Sequence, residues 1–217
     1  MKFLITISFV VSFVAFLKSP EAVKLWALFP AVFAVLYVLP VFPFYGNKTN
    51  LRKVKFLKTF MVAIVWAAMT VILPATIVLN ENTHEVALVF MQRFVFILAI
   101  TIPFDIRDMN FDKHIGIVTF PLKFGIRRTK EISCALLLLF FAVSVFYFYF
   151  FSGSIDNGAI NSSGFNFSIA IFISTSATIF LVSKLDQSKS EYWYTFALDG
   201  MMILQFLTLS IAHFKLF

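Results

Sequence analysis

The chain has 217 residues, of which 60% are hydrophobic and 13% charged, with 31 phenylalanines and a formal net charge of +7. So much apolar surface excludes a soluble globular domain. One cysteine, Cys134, excludes an internal disulfide, and the basic excess follows membrane topology rather than nucleic acid.

Apolar runs predict about seven membrane helices, at residues 3–17, 25–44, 60–79, 86–104, 132–151, 165–185 and 194–214. Most approach the ~20 residues that a bilayer crossing takes. The first run is short, follows Lys2 and is closed by Pro20. No small-x-small cleavage site follows it, so it reads as a retained helix rather than a signal peptide. Prolines 30, 40, 43, 74 and 103 fall in or at the ends of these runs, where they kink or terminate helices. With the N-terminus in the cytoplasm and the spans alternating, 14 of the basic residues fall inside. They are Lys2, Lys48, Arg52, Lys53, Lys55, Lys58, the six from Arg107 to Lys130, Lys184 and Lys189, against 3 outside, Lys18, Lys24 and Lys215. This bias predicts that the loop 105–130 is cytoplasmic, and with no hydrophilic domain between the runs a single integral membrane domain over residues 1–217 is expected, in the cell inner membrane.

Between the runs, loop 45–58 is basic without an acid, and its Asn47 and Asn50 offer neutral oxygens. Loops 80–85 and 152–164 are short, polar and outward; the acceptor pattern Asn161-Ser-Ser in the second is too short to carry weight. Arg93 lies inside a span, where snorkelling or pairing with an acid is expected. Asp199, inside the last span, reads either as a functional acid or as a hydrogen-bonding group across a helix interface, with Gly200 beside it allowing close approach. His84, His114 and His213 are dispersed and form no ligand set.

The segment after the fourth run carries the chemistry. It reads Asp105-Ile-Arg-Asp108-Met-Asn-Phe-Asp112, then Gly116-Ile-Val-Thr119-Phe-Pro121-Leu-Lys-Phe-Gly125. On a helix, positions i, i+3 and i+7 share one face, so the three carboxylates can converge on one point. Clustered carboxylates repel one another unless a cation joins them, and Mg²⁺ is typically held by one or two carboxylates together with substrate phosphates. Lys113, Lys123, Arg127 and Arg128 are candidates to balance a diphosphate. Gly116, Thr119, Pro121 and Gly125 shape the loop that follows.

This segment resembles the second aspartate motif of the UbiA-type intramembrane prenyltransferases, DxxDxxxD followed by GxxTxPxxxG. The acids, glycines, threonine and proline agree in type and spacing over about twenty residues. The resemblance extends more loosely along the chain as a succession of helices with a basic loop upstream. It implies an all-α polytopic bundle and a cytoplasmic-face site in which Asp108 and Asp112 bind Mg²⁺ and Asp105 assists. It also implies transfer of a prenyl group from a prenyl diphosphate to a lipophilic acceptor in membrane lipid. Family members typically have nine helices and a first aspartate motif after the second. Here no aspartate precedes Asp105, so two helices and that motif are expected to be missing. Two further readings follow: a catalytically degenerate relative acting as a binding or partner subunit, and a small transporter with Asp199 and Arg93 on a polar path.

Overall fold

The computed structural model describes residues 2–38, 42–44, 47–49, 56–76, 83–150, 155–156, 159–160 and 162–214. It is built of helices: α1 (Lys2–Lys18), α2 (Glu21–Val38), α3 (Leu57–Ala75, with a π segment at Ala68–Ile72), α4 (Thr83–Thr101), α5 (Phe104–His114), α6 (Phe120–Phe150) and α7 (Ser162–Lys184). The last, α8, runs through Glu191–Tyr194, a π segment Thr195–Asp199 and Gly200–Phe214. Short antiparallel pairings join Phe42–Phe44 to Asn47–Thr49 and Ile155–Asp156 to Ala159–Ile160.

Each of the seven predicted apolar runs falls on one of these helices. Five stretches among the described residues are long and apolar enough to cross a membrane: Leu57–Ala75, Thr83–Thr101, Phe120–Phe150, Gly164–Lys184 and Glu191–Ala212. Two shorter apolar stretches, Thr6–Lys18 and Val23–Phe33, lie in α1 and α2. Pro30 sits inside α2, as the run required. Pro103 sits at the N-cap of α5, where its missing N–H and fixed φ end α4 and start a new axis.

Packing follows the chain: α3 lies against α4, α4 against α6, α6 against α7 and α7 against α8. The centre of the core is α4, where Val95 to Ile100 are buried on every side rather than along one stripe. Ala63 and Ala67 of α3, Leu137 and Phe140 of α6, Ile171 and Val182 of α7, and Tyr194 and Leu198 of α8 close around it. A helix buried all round belongs inside a bundle. Outward-facing large side chains such as Phe172 and Phe180 on α7 and Phe196 and Phe206 on α8 are exposed, which suits a hydrocarbon surround. The helices also touch through polar groups. The Ser133 hydroxyl of α6 donates to the carbonyl of Ala99 on α4, a bond that costs little to keep where no water competes.

Two expectations change. Arg93 donates from Nη1 to Gln205 Oε1 at 3.0 Å and pairs with no acid among the described residues. No atom lies within 4 Å of a Cβ placed on Gly200, so that glycine does not mark a close helix contact. Asn50, Arg52, Lys53 and Lys55 lie outside the described residues.

Candidate functional site

The segment with the three aspartates is helical, as their convergence required. Because α5 spans Phe104–His114, Asp105, Asp108 and Asp112 follow one another down a single face. That face meets the first turn of α3. Lys58 Nζ lies 3.8 Å from Asp105 Oδ1, 3.2 Å from Asp108 Oδ2 and 3.4 Å from Asp112 Oδ2. The carboxylates thus converge on an ammonium supplied by the chain itself. Thr59, next to it, donates its hydroxyl to Asp105 Oδ2 at 2.9 Å. Arg107 donates from Nε to Asp108 Oδ1 at 2.7 Å, and its Nη1 lies 3.9 Å from Glu191 Oε1 at the start of α8.

Burial grades the three acids. Asp112 is wholly buried and Asp105 nearly so, at 0% and 2% exposure, whereas Asp108 is half-open. Desolvation pushes the Asp105 carboxyl up to about 6, against the opposing pull of the Lys58 charge and the Thr59 hydrogen bond. Burial also works against ionisation of Asp108. The hydrogen bonds and charges of Arg107 and Lys58 outweigh it and hold that carboxyl below its ordinary value. Among the described residues, the fully buried Asp112 Oδ1 is an acid oxygen with no hydrogen-bond partner. Among the described residues, no three acidic, His or Cys side chains close a metal site by themselves.

The loop after α5 seats this face. Gly116 has φ 72°, a left-handed turn that glycine adopts without a side-chain clash. The turn lets the amide of Ile117 bond the carbonyl of Asp112 at 2.9 Å. The Phe56 amide then bonds the carbonyl of Val118 at 3.3 Å, tying the loop to the residue before α3. Thr119 and Pro121 are buried where α6 starts. At Gly125 φ is 82° and ψ 162°, a conformation essentially reserved for glycine. It breaks the short turn Phe120 to Phe124 from the long remainder of α6, whose Thr129 hydroxyl bonds the Gly125 carbonyl.

A cavity of about 520 Å³ opens beside the acids. Lys58, Thr59, Asp105, Arg107 and Asp108 form its polar end, and Val62, Trp66, Ile97, Ile100, Phe104 and Met202 its apolar walls, with Thr101 and Asp199 among them. The cavity thus joins a charged end to a hydrocarbon-like interior, the shape of an amphiphile with an anionic head. Four of the predicted basic residues stand elsewhere. Lys113 and Arg128 are exposed, Lys123 lies over the rings of Phe56 and Phe124, and Arg127 pairs with Glu131 at 3.0 Å. None of the four lines the cavity. The cations that do are Lys58 and Arg107. Both were visible in the sequence, Lys58 as the last basic residue before an apolar run and Arg107 inside the aspartate motif. Topology accounted for each, so neither stood out.

Comparison with known proteins agrees with the motif. The model of the UbiA prenyltransferase family matches residues 1–191. No curated protein matches, and no solved structure matches. The family match takes in α1 to α7 and the whole acidic face, and the apolar helices make the chain an integral membrane protein. The protein belongs to the UbiA prenyltransferase family, whose members are membrane prenyltransferases.

Proposed function

We propose that the chain transfers a prenyl group from a prenyl diphosphate to a lipophilic acceptor, with the diphosphate at the charged end of the cavity and the isoprenoid tail along its apolar walls. The observation that carries this reading is the cavity itself: acids, Lys58 and Arg107 at one end, and Val62, Trp66, Ile97 and Phe104 leading away from it. We read the protein as a single membrane domain of the inner membrane with the 105–130 loop cytoplasmic, on the strength of its basic residues.

Family members generally use Mg²⁺ through aspartate motifs, and the residues here fit a hard cation. The donors facing one another are carboxylate oxygens, and the buried Asp112 Oδ1 is an acceptor that no described residue serves. Asp108 and Asp112 would hold the ion, with Asp105 assisting. Bound Mg²⁺ supplies charge neutralisation for a diphosphate leaving group. The chain's own part is to orient the donor. Lys58 and Arg107 pair with its phosphate oxygens, Arg107 in the forked geometry that suits them. The apolar walls keep water from the carbon that loses its diphosphate. Thr59 fixes Asp105 in place.

The Lys58 ion pairs also favour a second reading. An ammonium already compensates the three acids, which suits a catalytically silent relative that keeps the fold as a binding or partner subunit. The test is binding and turnover of geranylgeranyl diphosphate by protein in lipid nanodiscs, with and without Mg²⁺. The transferase reading expects Mg²⁺-dependent binding that Asp112→Ala weakens by at least about tenfold. Binding that ignores Mg²⁺ and Asp112→Ala would support the silent relative.

A further inference from the structure

We propose that Asp199 is the acceptor-side residue of this cavity, and that it takes a hydroxyl-bearing lipophile: its carboxylate accepts the hydroxyl's hydrogen bond and then its proton. The inference rests on the transferase reading for the donor, but its own evidence is separate. Asp199 lies beyond residue 191, where the family match ends.

Three observations converge on it. Asp199 lines the same cavity as Asp108 and Arg107, so it faces whatever the donor faces. Lys58, Thr59, Thr101, Asp105, Arg107 and Asp108 are each held by a hydrogen bond or ion pair. Among the charged and hydroxyl side chains of the wall, Asp199 alone has no such bond to another described residue. The helix around it is altered as well: Thr195–Asp199 is a π segment ending on the acid, as α3 also has at Ala68–Ile72, and such bulges inside α-helices are frequent at functional sites.

The surroundings decide between this role and a structural one. Phe196, Ile203 and Phe206 share the exposed stripe of α8 with Asp199. A carboxylate on a membrane-facing stripe is costly unless a polar group reaches it. The open site meets that need with Arg107, whose charge acts on Asp199, and with the hydroxyl of an acceptor entering from the bilayer. An apolar acceptor would leave the acid to the charge of Arg107 alone, and an anionic one would be repelled by it. In transfer to such a hydroxyl, the donor's C–O bond breaks and its electron pair leaves with the diphosphate. A lone pair of the hydroxyl oxygen forms the new C–O bond, and the hydroxyl proton passes to Asp199.

The test pairs 4-octylphenol with its methyl ether as probes on nanodisc-embedded protein, following binding through the thermal midpoint. The wild type should bind the phenol about tenfold more tightly than the ether. Asp199→Leu should erase that preference while leaving geranylgeranyl diphosphate binding within about twofold. Asp199→Asn, which keeps the shape and a hydrogen-bond acceptor, should lower transfer to the phenol about a hundredfold in kcat with little change in KM. A wild type without preference for the phenol, or a preference that survives Asp199→Leu, overturns the assignment. A preference that depends on Asp199 in a protein that binds no prenyl diphosphate upholds the hydroxyl site and overturns the transferase reading instead.

Discussion

Lys58 carries the most consequence of any single residue, because three carboxylates depend on its charge. In Lys58→Met, Asp105 and Asp112 lose their cation, and Arg107 remains paired with Asp108 alone. In metal-free buffer the variant should lose roughly 3 kcal/mol or more of stability, since breaking a largely buried ion pair from one side strands the other. Millimolar Mg²⁺ should restore most of that loss if the same oxygens take the metal, and thermal unfolding with and without Mg²⁺ reads the difference. Asp105 supplies a pH test. Its folded carboxyl titrates near 6, above the unfolded value of 3.8. Between those values the native state holds the proton more tightly than the unfolded state. This group's contribution therefore falls as pH rises from about 4 to 6, by up to roughly 3 kcal/mol, the reverse of the usual carboxylate. Carboxyl infrared titration of metal-free protein should show a midpoint near 6 that is missing in Asp105→Asn. Thr59→Val should move that midpoint further up, because the hydroxyl stabilises the ionised form.

At the scale of elements, the two glycines of the 116–125 loop bring α5 and α6 into position by different means. Gly116 and Gly125 both have positive φ, and a Cβ on either meets no atom within 4 Å. Substitution therefore costs backbone strain and not collision. Gly125→Ala should destabilise by about 1–3 kcal/mol, because φ 82° with ψ 162° is nearly closed to other residues. Gly116→Ala should cost less, about 1–2 kcal/mol, the ordinary penalty for a left-handed residue. Gly200→Ala on α8 should be neutral or slightly stabilising, since its φ of −58° is helical and its surroundings are open. Denaturation midpoints of the three variants rank the positions. Equal losses at Gly125 and Gly200 would refute the strain argument.

For the whole molecule, topology is the prediction with most reach. A cysteine at Lys123, in a Cys134→Ser background, should react with a membrane-impermeant thiol reagent only from the cytoplasmic face. Labelling in intact cells would turn the cavity's charged end outward and remove its access to a cytoplasmic diphosphate. The helices themselves were legible in the sequence. Long apolar runs specify helices in a membrane because every backbone group must be bonded within its own segment. Each predicted run falls on a helix in the expected order, although only five stretches among the described residues are long and apolar enough to cross a membrane where seven were expected. The i, i+3, i+7 face of α5 survives, since helical geometry fixes it locally. What the acids face was not legible. Lys58 and Asp108 are 50 residues apart, and only the packing of α3 against α4, with α5 following Pro103, brings them together. Nor could a list of basic residues tell Arg107, which lines the cavity, from Lys113, which is exposed six residues on in the same helix. By itself the sequence determined the membrane class, the helices and the shared face of three aspartates, because hydropathy and helical period act within a segment. The tertiary structure decided which cation meets those aspartates and which side chains wall the cavity. It also left Asp199 as the wall's unengaged acid, because those outcomes depend on contacts between segments far apart in the chain.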